Sequence, residues 1–447
     1  MERTDGQIRG NRPFEGAGMS RLRLIFGTVS YYNDVIKSCS LTQEISGISE
    51  ELSVDYFDCT LYLDNAAIVT KHEKVQVWFG LTYLGTYYRT DFKQIDENLY
   101  SLKFQSVLGV IDKKKFAGAM YSAAPLADVV ADITGTNPLD PWYVHIDDSY
   151  ANITVTGYIP ACTWREALQQ VAFAVGACVS SSQTSGIEMF PPKTEGKAIT
   201  RAEIFNTLDI TEYQPVTAVK IASHSYTETE ETSGEGVFEF DGKHYLHTVT
   251  YQTVTNEDAV DADENVITVE EATLVNDGNA SAVLARLASH YFGRVTWKNK
   301  IVTGTFAVGD LVTVPAFSGT SVSGHIGRMQ YRDIGYKLFS EIELDGHYTN
   351  VCTLTVVYTD DTGAVLETYA RNYAAGSSYS IGLTAIEREA DGKRYIYLPP
   401  YETLSGTINA DKTETVVCIT AAVQDGEMLS LYAVDDAAAE NDTLVME

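Results

Sequence analysis

Basic residues are scarce in this chain of 447 residues, and their scarcity limits the partners that it can have. The sequence holds 32 Lys and Arg against 61 Asp and Glu, which gives a formal net charge of −29 at pH 7. A surface that binds nucleic acid must neutralise phosphates, so this balance argues against specific nucleic-acid binding. An acidic protein instead repels polyanions, and this repulsion matters where DNA passes close to the protein without being bound.

Long apolar runs are also missing. Nowhere do about 18 uncharged apolar residues follow one another, the length that a transmembrane helix needs, and the N-terminus has no apolar signal segment. We therefore expect no membrane-spanning segment. Residues 1–20, rich in glycine and charge, are interpreted as a flexible arm.

Cysteine is scarce as well, which favours a reduced, cytosolic chain. Cys162 and Cys178 flank a predicted helix, whose length keeps them too far apart to pair. Cys352 and Cys418 lie in two candidate strands of one C-terminal unit, and a disulfide between them stays open. No C-x-x-C spacing for zinc or redox chemistry occurs among the six cysteines, at positions 39, 59, 162, 178, 352 and 418.

Short catalytic motifs are absent. The sequence contains neither the G-x-x-x-x-G-K-[ST] loop that cradles phosphates nor the G-x-S-x-G elbow that carries a nucleophile. His72 in "HEKVQ" lacks the second histidine of H-E-x-x-H and precedes a predicted strand. We therefore predict no catalytic, cofactor-binding or metal-binding residue and no enzymatic activity. A dispersed triad or carboxylate pair stays open, because its members need only converge in space.

Two acidic stretches imitate binding sites. "DADEN", from Asp261 to Asn265, begins like a calcium loop, but Val266 stands where that loop needs glycine and Ala272 where it needs a bidentate glutamate. The carboxylates of "TETEE", which ends at Glu231, are interpreted as a solvated loop. Neither stretch is predicted to hold a metal.

A pair of histidines, His244 and His247, is the remaining metal candidate. Both follow Asp241-Gly242, a strong two-residue hairpin signal, and stand among β-branched and aromatic residues, so we expect a strand. Residues three apart in a strand point to opposite faces, and the two imidazoles are therefore not expected to share one ion. We also expect this hairpin to pad the barrel of the second β unit described below or to contact a neighbouring ring.

The chain is long enough for several domains, and its mainly β character begins at residues 21–110. "YFDCTLYL" places Phe57, Cys59, Leu61 and Leu63 on one face of a strand, an alternation typical of a half-buried sheet. "EKVQVWFGLTYLGTYYRTDF" adds a strand, a glycine-bearing turn and a return strand. We predict a small antiparallel β-barrel domain here.

Helical patterns mark residues 111–200, which we predict to be a small α+β domain. "TWREALQQVAFAVGACV" has a capping box at Thr163 and Glu166 and an apolar residue on every turn of one face. "PLADVVADI" opens on Pro125, a residue favoured in the first helical turn.

Strands return in residues 201–347, which we predict to be a second β-barrel domain with one helix, "NASAVLARLASHYFGR". Its segment "DLVTVPAFSGTSVSGHIGRMQYRD" repeats the plan of "KVQVWFGLTYLGTYYRTDF", a weak internal echo. Residues 350–447 are predicted to be a separate β-rich domain with turns near Asp361–Gly363 and Gly376. The fold class expected is thus α+β, mainly β.

The order of three segments resembles the baseplate-hub or tail-tip proteins of long-tailed bacteriophages. These are "KSCSLTQEISGISEELSVDYFDCTLYL", "SLKFQSVLGVIDKKKFAGAMY" and "TWREALQQVAFAVGACV". The later runs "VITVEEATLVNDGNASAVLARLASHYFGR" and "FAVGDLVTVPAFSGTSVSGHIGRMQYRD" look like the second half of such proteins in phages and prophages of Gram-positive gut bacteria. The resemblance covers residues 22–347.

The resemblance implies a structural virion protein: a homotrimeric hub with two tail-tube-like β-barrels per chain, giving six similar units that match a hexameric tail tube. It implies a place at the virion tail tip, after assembly in the bacterial cytoplasm. The implied partners are the distal tail or tail tube protein, the tape measure protein, and tip spike or receptor-binding proteins. The lumen would carry DNA, and from the net charge of −29 we expect it to be acidic.

The C-terminal pieces "TVVYTDDTG", "YAAGSSYSI" and "LSGTINADKTETVV" resemble the small β-grasp or immunoglobulin-like repeats of bacterial and phage surface proteins. Such a domain would contact a host or serve as a spacer. Two other functions stay open: a tail-associated platform for a peptidoglycan-degrading enzyme, and a bacterial surface adhesin or glycan-binding protein. Release of soluble fragments from cell walls would favour the first, and glycan binding by a monomer the second.

Overall fold

The fold is seen in a computed structural model that describes most of the chain, from residue 22 to residue 423. The predicted N-terminal arm therefore lies outside the described residues, as do Asp261 and Gly376. The gaps within that range are 206–207, 260–261, 303–305, 317–319, 333–338, 350, 375–376, 391–392 and 409–410.

The first β unit is an antiparallel set of seven strands with the short helix α1, Ala67–Lys71. As predicted, Phe57, Cys59, Leu61 and Leu63 are all buried. The strands are β1 Leu22–Phe26, β2 Val29–Tyr32, β3 Ile36–Glu44, β4 Tyr56–Tyr62, β5 Lys74–Phe79, β6 Thr82–Asp96 and β7 Leu99–Gln105. They lie in the order β3-β4-β7-β6-β5-β1-β2.

An α+β segment follows, and its longest helix begins where the sequence predicts but ends at Val175, before residues 176–179 that we included in it. The side chain of Thr163 accepts from Glu166 N and the side chain of Glu166 accepts from Thr163 N, and Gly176 closes the helix in the left-handed conformation. Its core side chains pack under small sheets. The elements are α2 Val107–Ile111, β8 Lys115–Phe116, β9 Ala119–Pro125, α3 Leu126–Thr134, β10 Val144–Ile146, β11 Thr154–Ile159, β12 Cys162–Thr163, α4 Trp164–Val175, β13 Cys178–Ser180 and β14 Ile187–Phe190, with a 3₁₀ turn at Asp148–Tyr150.

The predicted Asp241-Gly242 hairpin is confirmed, since both turn residues have positive φ, the signature of a type I′ turn. It belongs to a four-stranded sheet of its own, in the order β18-β19-β17-β20, against which the helix α5 packs. The elements here are β15 Gly196–Ala198, β16 Asp209–Glu212, β17 Ala218–Thr229, β18 Val237–Phe240, β19 Lys243–Thr255, β20 Val266–Val269 and α5 Ala280–Tyr291, with 3₁₀ turns at Arg201–Glu203 and Glu257–Ala259.

The hairpin is thus not part of the sheet of the second β unit, and our expectation that it pads that barrel or contacts a neighbouring ring stays a prediction. Its long strands run far enough to hydrogen bond along twelve paired positions, from Ala218↔Thr255 to Thr229↔His244, and this pairing makes them a separate layer. The division of the chain into domains, with the boundaries given above, stays a prediction.

The second β unit joins the first edge to edge. It consists of β21 Arg294–Val302, β22 Leu311–Pro315, β23 Ser321–Arg332 and β24 Phe339–Thr349. β23 pairs with β3, and β15 and β16 pair with β22 and β21, so the two units share one 13-stranded sheet. Its buried side carries the largest core, which includes Trp297, Phe57 and Tyr331. The echo in the sequence corresponds to two antiparallel pairs, β5 with β6 and β22 with β23.

The described part of the C-terminal segment contains strands alone. β25 pairs with β26 in antiparallel and with β31 in parallel orientation, around a core that contains Leu354 and Ile408. Asp360 accepts from the backbone of Thr362 and Ala364 at the predicted turn. The strands are β25 Val351–Thr359, β26 Val365–Ala374, β27 Ser377–Gly382, β28 Ile386–Ala390, β29 Lys393–Leu398, β30 Thr403–Ile408, β31 Lys412–Val417 and β32 Ile419–Val423.

Candidate functional site

The solvent side of the 13-stranded sheet is a polar face that begins on β3, β4 and β7. Directly paired residues lie on one face of a sheet, and the pairs here are Ser40 with Asp58, and Asp58 with Lys103. Thr42 and Thr60 lie on the same face, one pleat away. Hydroxyl groups thus alternate with single charges across three neighbouring strands.

The polar face continues without a break into the second β unit. Across the junction of β23 with β3, Arg328 lies opposite Glu44 and Gln330 lies opposite Thr42. The same face continues from β23 to β24, because Arg328 of β23 is paired with Glu343 of β24. The face then continues from β24 to β21, because Glu343 of β24 is paired with Lys298 of β21. The junction therefore unites two units far apart in sequence into one surface.

Charges on the polar face are matched in pairs. Arg328 Nε lies 2.9 Å from Glu44 Oε1, and Lys298 Nζ lies 3.1 Å from Glu341 Oε1. Burial raises the pKa of Asp58, which faces Lys103, and the charge of Lys103 opposes that rise. The acidic surplus of the whole chain is thus not concentrated on this face.

The junction pair gives the first testable prediction. We expect Arg328→Glu to lower the free energy of unfolding. The new carboxylate would lie between those of Glu44 and Glu343, and the three like charges would repel one another. The double variant Arg328→Glu/Glu44→Arg should recover part of the loss. Since both side chains are about a third exposed, a coupling of about 0.5–1 kcal/mol is expected from a double-mutant cycle in denaturant. Strict additivity of the two substitutions would contradict the pairing.

A polar groove of about 630 Å³ lies beside the junction, between the first β unit, α5 and β24. Arg294 donates to His290 Nε2 at 3.2 Å and pairs with Asp345 at 3.1 Å. Burial, helped by the neighbouring Arg294 charge, lowers the pKa of His290 to about 4. His290 is therefore neutral at pH 7, and its Nε2 accepts a structural hydrogen bond from Arg294.

A buried carboxylate, Asp55, ties the first β unit to the α+β segment. Its Oδ2 accepts from Ser182 Oγ at 2.6 Å and its Oδ1 accepts from Glu44 N at 3.0 Å, while its own N donates to Ser106 Oγ at 3.1 Å. Burial raises the pKa of Asp55 to about 7, although both hydrogen bonds to the carboxylate lower it. Sequence reasoning missed this residue, because its partners lie 51 and 127 positions away.

The histidines of the hairpin lie where the strand pattern predicts. His244 pairs with Thr229 and His247 with Tyr226, on opposite faces of β19. His247 instead meets His224 of β17, with Nε2 and Nδ1 2.9 Å apart, and the rings of both stack with Tyr226. Burial lowers the pKa of each histidine in this pair. The register of β17 with β19 creates the contact, and a single strand pattern does not reveal it.

Other residues singled out in the sequence have ordinary surroundings. Glu228 of "TETEE" lies near the end of strand β17 rather than in the loop that we expected, and it pairs with Lys243 at 2.9 Å, with both side chains exposed. His72 lies between α1 and β5, as predicted. In the described part of the chain, no three His, Cys, Asp or Glu side chains come together as a metal site would require.

None of the six cysteines forms a disulfide. Cys352 and Cys418 both line the C-terminal core, but Cys418 N donates to Thr359 O, at the opposite end of β25 from Cys352, so the close approach that we considered for them is not seen. Cys162 and Cys178 stand at the two ends of α4. Cys39 and Cys59 are directly opposed on β3 and β4, a neighbourhood that only the register discloses. Burial raises the pKa of the Cys59 thiol well above its usual value, so this thiol stays protonated.

The fold of the chain is that of tail proteins from prophages. Its architecture is mainly β with α+β material, as the resemblance implies. One similar structure is the 43 kDa tail protein of prophage MuSo2 from Shewanella oneidensis, with a TM-score of 0.51, 12% identity, and coverage of 72% of this chain and 98% of that one. The tail protein from Neisseria meningitidis MC58 matches at a TM-score of 0.51 and 12% identity, over 73% of this chain and 97% of that one.

A third structure, a prophage tail protein from Listeria monocytogenes EGD-e, has a TM-score of 0.48 and 12% identity over 73% of this chain and 94% of that one. No protein-family model and no curated protein sequence matches the chain. The neighbours are covered almost entirely, whereas more than a quarter of this chain extends beyond the match to the first of them. Within the described residues, no helix is both long and apolar enough to cross a membrane.

Proposed function

We propose that the protein is a structural component of a phage or phage-like tail: a homotrimeric hub at the distal end that links the tail tube or distal tail ring to the tip. The observation that carries this proposal is the junction of β3 with β23, which makes one sheet from two β units. Three chains then supply six units to a ring, the number that a hexameric tube presents. The fold shared with prophage tail proteins supports the same role.

The polar face of this sheet is proposed to line a channel for DNA. The opposite side packs into the core, so the polar side is the one available to a lumen. Hydroxyl groups and matched ion pairs offer a phosphate backbone neither a strong attraction nor an apolar barrier. This lining replaces the acidic one expected from composition. The role is structural, and its chemistry is assembly through subunit interfaces rather than catalysis.

The partners that we propose are those of a hub: the distal tail or tube protein, the tape measure protein, and tip spike or receptor-binding proteins. The C-terminal strands β25 to β32 are proposed as an appended domain for host contact or spacing. Its separate core, around Leu354 and Ile408, supports an independent unit.

The second prediction tests the ring. The purified full chain is expected to have three times its 49.1 kDa mass in native mass spectrometry. A Ser38→Cys variant on the polar face should react with a small maleimide but be shielded from a polymer-linked maleimide. Cys162→Ser serves as the background, because the other five cysteines are buried.

The matched control is Leu139→Cys, at a loop position that is 89% exposed and should react with both reagents. A stable monomer would refute the hub. A trimer whose Ser38→Cys variant reacts equally with both reagents would refute the lining while leaving the trimer intact.

A further inference from the structure

The strand β19 has an edge that no described strand covers. β17 pairs with it from His244 to Thr255, whereas β18 pairs only from Lys243 to Leu246. In the part of the chain that the structure describes, the outer side of Thr248–Thr255 has no strand beside it. This free edge is therefore about eight residues long, long enough to accept a complete strand.

The direction of the backbone groups follows from two hydrogen bonds. His247 N donates outward to Gly236 O at 2.8 Å, and Asn256 N donates inward to Thr217 O at 2.8 Å. Because backbone groups alternate along an antiparallel strand, Val249, Tyr251 and Thr253 present their N–H and C=O groups to the free edge. These groups form a ready template for another strand.

The side chains around the free edge also favour a partner. Val249 is 40% exposed, Tyr251 49% and Val254 37%, on a strand segment without charge, proline or glycine. Proteins normally protect edges with short strands, lysine, proline or bulges. Both end strands of the 13-stranded sheet follow that rule, since β2 and β16 have four residues each. The free edge of β19 breaks it.

The charges at its two ends select the occupant. Glu235 and Glu239 lie beyond one end, and Glu257 and Asp258 follow the other, all exposed. Antiparallel pairing with a second copy would bring Glu235 of one chain toward Glu257 of the other, in a protein whose net charge is −29. A partner with basic residues at both ends of an uncharged strand meets attraction instead.

We propose that the free edge of β19 binds an extended segment of another protein, an uncharged β-forming run of about eight residues flanked by Lys or Arg, which adds as a strand beside Val249–Thr255. Main-chain hydrogen bonds supply the attachment, and the flanking acids set the register. The inference goes beyond the proposed hub function, because it requires neither a trimer nor a channel.

The third prediction uses a synthetic peptide of alternating Thr and Val with two lysines at each end. It should bind the full-length protein in fluorescence anisotropy and slow amide hydrogen exchange at Val249, Tyr251 and Thr253. Thr253→Pro removes one outward N–H without touching a bond to β17, and it should weaken binding at least about tenfold. Thr253→Val, which keeps the N–H, should bind like the parent.

Val249→Lys is a second variant, should Thr253→Pro fold poorly. A lysine at the free edge should repel the basic peptide and also weaken binding at least about tenfold. Equal binding of a peptide with glutamate ends, or unchanged binding by both variants, would overturn the proposal. The same amides could instead be protected without peptide, through self-association that Thr253→Pro abolishes. That result would assign the edge to a second copy of the chain and would also overturn the proposal.

Discussion

The variant Gly346→Ala is expected to lose about 3 kcal/mol of its free energy of unfolding, the upper range for forcing atoms into a packed site. Gly346 on β24 lies directly opposite Gly324 on β23. A Cβ at position 346 would lie 2.3 Å from Ser323 O and 3.0 Å from Gly324 Cα. Both contacts are with backbone atoms, so no side chain can rotate away, and the strands themselves must separate.

The reporter for this variant is the fluorescence of Trp297, which is fully buried on β21 opposite Leu344 of β24. Separation of β24 from β23 should expose the indole at lower urea concentration. Gly327→Ala is the matched control on β23, because its Cβ would meet nothing nearer than Ile45 O at 3.7 Å. We expect the control to change stability by less than about 1 kcal/mol. Equal losses in the two variants would contradict the close approach of the strands.

Local sequence signals predicted the elements that depend on neighbours in the chain. The capping box of Thr163 and Glu166 defined the start of α4 because both partners lie within one helical turn. Asp241-Gly242 defined its hairpin because a type I′ turn needs two residues that tolerate positive φ. The alternation around Phe57 defined a buried face because the period of a strand is two.

Features that depend on register between distant strands were not predictable. The junction pairs Arg328 with Glu44, and no local pattern says which of many edges β3 will meet. The contact of His224 with His247 arises in the same way, from the register of β17 with β19. The matched charges of the polar face were not predictable either, because net charge carries no information about which residues share a face. The charge of one face depends on which residues the fold brings together, and the composition of the whole chain does not report it.

Asp55 shows how such a distant convergence changes chemistry. Asp55 is 1% exposed; its carboxylate accepts from Ser182 and from the end of β3, and its backbone N donates to Ser106 at the start of α2. Because burial raises its pKa to about 7 in the folded protein from an ordinary value near 3.8, the folded state binds the proton more tightly than the unfolded state. Its ionisation therefore opposes folding, increasingly so as the pH rises from about 4 through about 7.

Asp55→Asn is accordingly expected to stabilise the protein at pH 8 by about 2–4 kcal/mol and to have little effect below about pH 4. The amide keeps an oxygen for Glu44 N and offers an N–H to Ser182 Oγ, so both hydrogen bonds persist. Urea titrations of the variant and the parent across this pH range give the difference in their free energies of unfolding. The titration of histidines is common to both proteins and cancels in this difference.

The control is Asp147→Asn, at an exposed carboxylate whose pKa is lowered by hydrogen bonds from Ser149. A lowered pKa means that ionisation favours folding, so this variant should lose stability as the pH rises through the acid range, the opposite sense to Asp55→Asn. A stability difference between Asp55→Asn and the parent that stays constant from pH 4 to pH 8 would show that Asp55 titrates like an exposed acid. The contact between the first β unit and the α+β segment would then contain an ionised carboxylate held by Ser182 and Glu44 N, and its contribution to the free energy of unfolding would not depend on pH.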